Sequence, residues 1–226
     1  MPGRLHIDDW TRYSALPRFE RDEVPTFSPN VPPRTWLTLL RHESGRVLLR
    51  DAFWGLTPSW LKVLDHAPHL ARAESLDDRR MFRDALATRR CVVPVTGVYV
   101  WQQRVRGKQP YMVTHTDRAP LLLAGLWTRY TLDAGPSRDS CALITVAASP
   151  FIAPLSERFP SLIAPEQLER WLDPATPLAD VRSMITSAPD SLLGAFPVSK
   201  AINSPAEQAW ASAYPVGAMQ VCPSDG

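Results

Sequence analysis

Twenty-two arginines against three lysines set the first chemistry this chain offers. The planar guanidinium fork grips phosphate with two parallel hydrogen bonds and keeps its charge at any physiological pH. The cations are unevenly placed. Residues 1–113 hold 18 basic against 12 acidic side chains and residues 114–226 hold 7 against 11, so the halves carry +6 and −4 within a net charge of +2. A basic first half suits an anionic partner. The Arg/Lys ratio alone also fits the codon usage of a GC-rich genome, since Ala and Pro are abundant too. Other chemistries find less support. His66 and His69 are three apart with Pro68 between them, so no helix presents both to a metal. There is no Gly-rich phosphate loop, no serine nucleophile elbow and no HExxH. Cys91, Cys141 and Cys222 are odd in number and widely scattered, which reads as reduced thiols and not as a disulfide frame. These residues call for no metal and no cofactor.

The elements that must position such arginines are mostly strands. The 226 residues, 45% hydrophobic and 21% charged, fit one globular domain able to bury about 70% of its unfolded surface. No apolar run reaches the roughly 18 residues of a membrane span, and the N-terminus lacks a signal-peptide pattern, so a cytoplasmic protein is expected. Residues 36–41 and 46–54 read as a hairpin across His42-Glu43-Ser44-Gly45. Further extended runs cover 91–105, broken at Gly97, then 110–116, 120–132 and 140–148. Twenty-three prolines end these runs sharply. Helical spacing covers 76–88, 165–172 and 178–186, and Ser204-Pro205-Ala206-Glu207 has the pattern of a capping box opening a C-terminal helix within 205–226. The expected class is α+β, a single domain whose strands pack as an antiparallel sheet or barrel punctuated by helices.

A set of ordered fragments is more specific. The chain opens Met1-Pro2-Gly3-Arg4 and continues with Phe27-Ser28-Pro29, the stretch Trp54-Gly55-Leu56-Thr57-Pro58-Ser59-Trp60, and Ala71-Arg72-Ala73-Glu74. Arg90-Cys91-Val92-Val93-Pro94 leads into Gly97-Val98-Tyr99-Val100-Trp101, followed by Ala124-Gly125-Leu126-Trp127, Glu157-Arg158-Phe159-Pro160 and Pro197-Val198-Ser199-Lys200. In this order they resemble the SOS-response-associated peptidase (SRAP) family of abasic-site shield proteins, from residue 1 to about 204. The resemblance implies a β-barrel-like core and binding of single-stranded DNA. It also implies a Cys at position 2 whose amine and thiol trap the ring-opened aldehyde of an abasic site as a thiazolidine. An Asn before ARAE, a Glu in the GFYEW stretch and a His before the D-R-M-P stretch assist in that family, and its self-processing depends on the Cys, Glu and His.

Here those positions are Pro2, Leu70, Val100 and Ser156. Proline has no thiol to close the ring, and Leu and Val have no proton to give. The positions that the resemblance assigns to DNA contact survive: Arg4, Arg72 and Arg158 for phosphate, Pro29, Phe53 and Trp54 for apolar contact and stacking. Packing is the alternative for Trp54, and Arg72 could instead pair with the nearby Glu74. Three readings stay open. The first is a single-stranded DNA-binding protein, nucleoid-associated when bound, that has lost covalent trapping and self-processing. The second is an imine-forming enzyme or abasic-site lyase: removal of Met1 would expose the secondary amine of Pro2, which condenses with an aldehyde to an iminium, with Glu74 and Glu157, close in sequence to Leu70 and Ser156, nominated in place of the lost acid and base. The third is a structural or protein-interaction remnant of the fold.

Overall fold

The hairpin expected across residues 42–45 forms in the computed structural model, which describes residues 3–11, 16, 19–21, 24–60, 67–105, 107–131 and 137–222. Its strands pair from Trp36 opposite Phe53 to Glu43 opposite Arg46. Ser44 and Gly45 both take positive φ, 52° and 82°, the tight-turn conformation whose twist matches that of the strands it joins.

In chain order the strands are β1 (Arg4–Ile7), β2 (Glu20–Arg21), β3 (Ser28–Val31), β4 (Trp36–Glu43), β5 (Arg46–Trp54), β6 (Leu70–Arg72) and β7 (Arg90–Val95). They continue as β8 (Gly97–Arg104), β9 (Gly107–His115), β10 (Leu121–Thr131), β11 (Ser137–Ala147), β12 (Arg158–Pro160), β13 (Leu193–Pro197) and β14 (Gln220–Val221). One sheet runs β14-β13-β9-β8-β1-β3, the other β12-β11-β10-β7-β4-β5-β2. In the second sheet β11 also pairs with β5 in parallel, Ser140 beside Phe53 and Cys141 beside Trp54. That pairing closes β4, β5, β7, β10 and β11 into a five-stranded barrel, which removes the sheet edges those strands would otherwise expose. Every residue of β7 is buried, as its continuous apolar run requires of a strand covered on both faces. The class is α+β, as the sequence indicates.

The helices are shorter than the periodicity suggests. Leu76, Phe82, Ala85 and Leu86 are buried as expected, but α1 spans only Arg80–Thr88. Residues 76–79 form a turn and bend instead, after a 3-10 turn at Ala73–Ser75 in which the Leu76 N–H donates to the Ala73 carbonyl. α2 (Leu168–Leu172) comes after a 3-10 turn over Pro165–Gln167. α3 (Leu178–Ser183) stops three residues before 186, because the Met184 and Ile185 N–H groups bond back three residues, to Val181 and Arg182.

The C-terminal helix is a correction. Ser204 Oγ accepts from Ala206 N, two residues on and not three. Glu207 Oε1 accepts from Ala209 N and does not reach back to Ser204. Asn30 Nδ2 then takes the Ser204 and Glu207 carbonyls at 2.9 and 3.0 Å. A long-range side chain thereby captures carbonyls that a helix would need for itself. The chain goes on as a 3-10 turn at Trp210–Ala213 and ends its described course in the short strand β14.

Candidate nucleic-acid interface

β11 is the spine of the candidate site. It lays Phe53 beside Ser140, Leu70 beside Leu143 and Arg72 beside Thr145, so β5 and β6, separated in sequence, present their residues along one line. At the β5 end, Phe53 is half-buried and meets Trp36 edge to face, ring centroids 6.1 Å apart. Trp36 is 40% exposed, and the Arg138 guanidinium carbon lies 5.6 Å from its ring centre. An exposed aromatic face with a cation over it is a platform on which bases stack.

At the β6 end a cavity of about 220 Å³ opens, with His69, Arg72, Arg79 and Thr145 as its polar wall and Leu70 and Phe82 among its apolar lining. Arg72 and Arg79 are exposed, and neither has a side-chain hydrogen bond or ion pair among the described residues. Two unspent guanidiniums at the mouth of a cavity bind phosphate well.

Glu74 does not pair with Arg72. Its partner is Arg158, whose two terminal nitrogens reach the Glu74 carboxylate at 3.1 and 2.9 Å. Arg158 Nε also donates to Thr145 Oγ1 at 3.2 Å, and an Nη to the Thr145 carbonyl at 2.5 Å. The hydrogen bonds from Arg158 hold the Glu74 carboxyl below the usual glutamate range. Arg158 is thus a staple between β12, β11 and the turn after β6, with its donors occupied.

Two expected contacts are corrected by burial. Trp54 is 1% exposed, in the core, and its indole N–H donates to the His69 carbonyl at 2.9 Å. Its ring offers no face to a base; it fixes the loop that enters β6. Pro29 is also buried, and its carbonyl accepts from the Tyr99 hydroxyl at 2.7 Å, tying β3 to β8.

Arg4 sits elsewhere. Its Nη1 donates to Asn30 Oδ1 and the Ile202 carbonyl, each at 2.9 Å, and Nη2 to the Asn203 carbonyl at 3.2 Å. Partial burial lowers its pKa from the ordinary arginine value. Its remaining N–H capacity faces an open cleft of about 590 Å³ shared with Trp101, Gln103, Lys108 and Asn203. The four positions matching the family's reactive residues fall apart in function. Leu70 lines the smaller cavity. Val100 is fully buried in the core. The Ser156 hydroxyl is spent on the Arg158 carbonyl at 2.8 Å. Pro2 lies outside the described residues.

A family model described as SOS response associated peptidase (SRAP) matches residues 1–205. The chain belongs to the SRAP family. The abasic site processing protein YoaM of Bacillus subtilis is 26% identical over 182 residues, 79% of this chain and 80% of that one. The abasic site processing protein HMCES of Gallus gallus is 29% identical over 189 residues, 72% of this chain and 56% of that one. A crystal structure from Bacteroides thetaiotaomicron has the same fold, with a TM-score of 0.78 at 20% identity, covering 93% of this chain and 96% of that one. Membership of this family ties the chain to the DNA-damage response and to DNA as a partner.

Sequence reasoning does not single out His69, Trp36, Arg79, Arg138 or Lys108 as residues of a DNA site. Arg79 falls within the 76–88 helical pattern, and the spacing of His69 from His66 raises only the question of a metal. The pairing of β11 with two distant strands, for which no local signal exists, brings His69, Trp36, Arg79 and Arg138 together, while Lys108 lies apart in the cleft with Arg4.

Proposed function

We propose that this SRAP protein binds single-stranded DNA of the abasic-site type without the covalent trapping that a position-2 cysteine would supply. One observation carries the reading. The position beside ARAE is an apolar Leu70, yet it lines a cavity flanked by Arg72 and Arg79, whose donors have no partner among the described residues. A chain under no demand to hold phosphate has little reason to leave two guanidiniums there. Phosphates of a single strand would lie against Arg72 and Arg79, with bases stacked toward Trp36 and Phe53. Thiol ring closure has no donor, because Pro2 carries no sulfur and the two nearest-matching assistants, Val100 and Ser156, are buried or hydrogen-bonded internally. The location of such a protein is the cytoplasm, on DNA when bound; no helix among the described residues is long and apolar enough to cross a membrane.

The Pro2 amine favours a second reading, a reversible imine or a lyase, once Met1 is removed. A denaturing gel separates the two. Untagged protein, with Met1 removal verified by mass, is incubated with single-stranded DNA carrying one abasic site, with and without borohydride. No covalent band in either lane is expected. A band that needs borohydride and the free amine assigns imine chemistry to Pro2, and a band stable without borohydride overturns the loss of crosslinking.

A further inference from the structure

The cavity beside Leu70 holds a base that simple DNA binding leaves unused. His69 enters it from the turn before β6, and its backbone is fixed twice: the His69 carbonyl accepts from the Trp54 indole at 2.9 Å and from Leu143 N at 3.0 Å. The imidazole stands edge-on to the Trp54 ring, centroids 5.8 Å apart. Neither ring nitrogen hydrogen-bonds to any described residue. The other polar groups of the cavity cannot take a proton as readily. Arg72 and Arg79 are cations without a lone pair to give. Ser75 Oγ donates to the Arg72 carbonyl, and Thr145 Oγ1 bonds the Ala71 carbonyl and accepts from Arg158. A nitrogen lone pair, held rigidly and facing a cavity, is left on His69 alone among them.

We propose that His69 is the general base of this cavity, taking the C1′ hydroxyl proton of an abasic deoxyribose seated there and opening the sugar to its aldehyde. The step balances as an isomerisation. The O–H bond at C1′ breaks and its electron pair forms the carbonyl. The C1′–O4′ bond breaks, its pair goes to O4′, and the imidazolium returns the proton there. No oxidant or second reactant is needed. Burial, and secondarily the Arg34 charge, lower the His69 pKa from its ordinary value, so the ring is neutral and able to accept at pH 7. The charged groups around it are Arg34, Arg72 and Arg79, with the Arg158–Glu74 pair beyond Thr145. This inference rests on the proposed binding of abasic DNA.

The test uses a single-stranded oligonucleotide with one abasic site, saturating protein, and methoxyamine at concentrations where oxime formation no longer depends on reagent, so that ring opening sets the rate. Wild type is expected to accelerate the reaction over free oligonucleotide. With protein held at saturation for each variant, His69→Gln should lose about 10²-fold of that rate, and added imidazole should restore part of it to His69→Ala. The wild-type rate enhancement should fall as pH drops through the lowered His69 pKa, a readout that needs no variant to fold. A His69→Gln rate equal to wild type with binding intact, or an enhancement flat across the acid range, overturns the role of His69 alone. Absence of binding by wild type overturns it together with the DNA-binding proposal on which it rests.

Discussion

Arginines of one chain can be spent or unspent, and the difference sets which of them has donors left for a phosphate. Arg72 makes no side-chain hydrogen bond or ion pair among the described residues and acts on Glu74 only through space, whereas Arg158 is committed to Glu74 and to both oxygens of Thr145. Removing Arg158 therefore acts on the fold. Arg158→Ala should cost about 1.5–3 kcal/mol in denaturant unfolding, the scale of losing charge-assisted hydrogen bonds and leaving a carbonyl unpaired. The pair also predicts a pH signature. Glu74 titrates below its ordinary value in the folded protein, so its contribution is present above the unfolded glutamate pKa and is lost as pH falls through the folded one. Glu74 is largely exposed, so the contribution is small. The gap between wild type and Arg158→Ala should narrow slightly in acid, by the share of the ion pair, and keep the share of the Thr145 hydrogen bonds; a gap that stays constant through the carboxylate range would show that the ion pair adds nothing to stability.

Strands and turns of this molecule are legible in proportion to how local their causes are. The β4–β5 hairpin follows from two apolar runs and a Ser-Gly turn, all within 20 residues. The break at Gly97 is equally local in sequence; in the fold, a Cβ there would meet Met112 Sδ at 2.7 Å. The missing C-terminal helix has a remote cause, the Asn30 side chain some 170 residues earlier. Trp54 reads as a contact residue in sequence because burial is decided by β11, and Glu74 finds Arg158 84 residues away. The site is legible as residue types and illegible as an arrangement. Asn30 makes the element-scale prediction: it is fully buried and holds the Ser204 and Glu207 carbonyls while accepting from Arg4. Asn30→Ala should destabilise by about 1–3 kcal/mol and bring the first protease cuts to residues 200–213. Cleavage unchanged in position and rate would show that other contacts hold this segment.

At the scale of the whole molecule, the closed barrel gives β11 a fixed course, and β11 aligns an aromatic platform with a cationic cavity. The basic first half of the sequence supplies Arg34, Arg72 and Arg79; the acidic second half supplies the β11 scaffold and Arg138. The central claim is that this SRAP scaffold still binds single strands through those cations. Its most direct test is a salt titration of affinity for a labelled single-stranded oligonucleotide with one abasic site, beside the matching duplex, with wild type and Arg72→Ala. Tighter binding to the single strand is expected, and for the variant a weaker affinity and a salt slope smaller by about 0.7, the loss of one phosphate contact. Equal affinity for both DNA forms, or a variant whose slope and affinity match wild type, would contradict it.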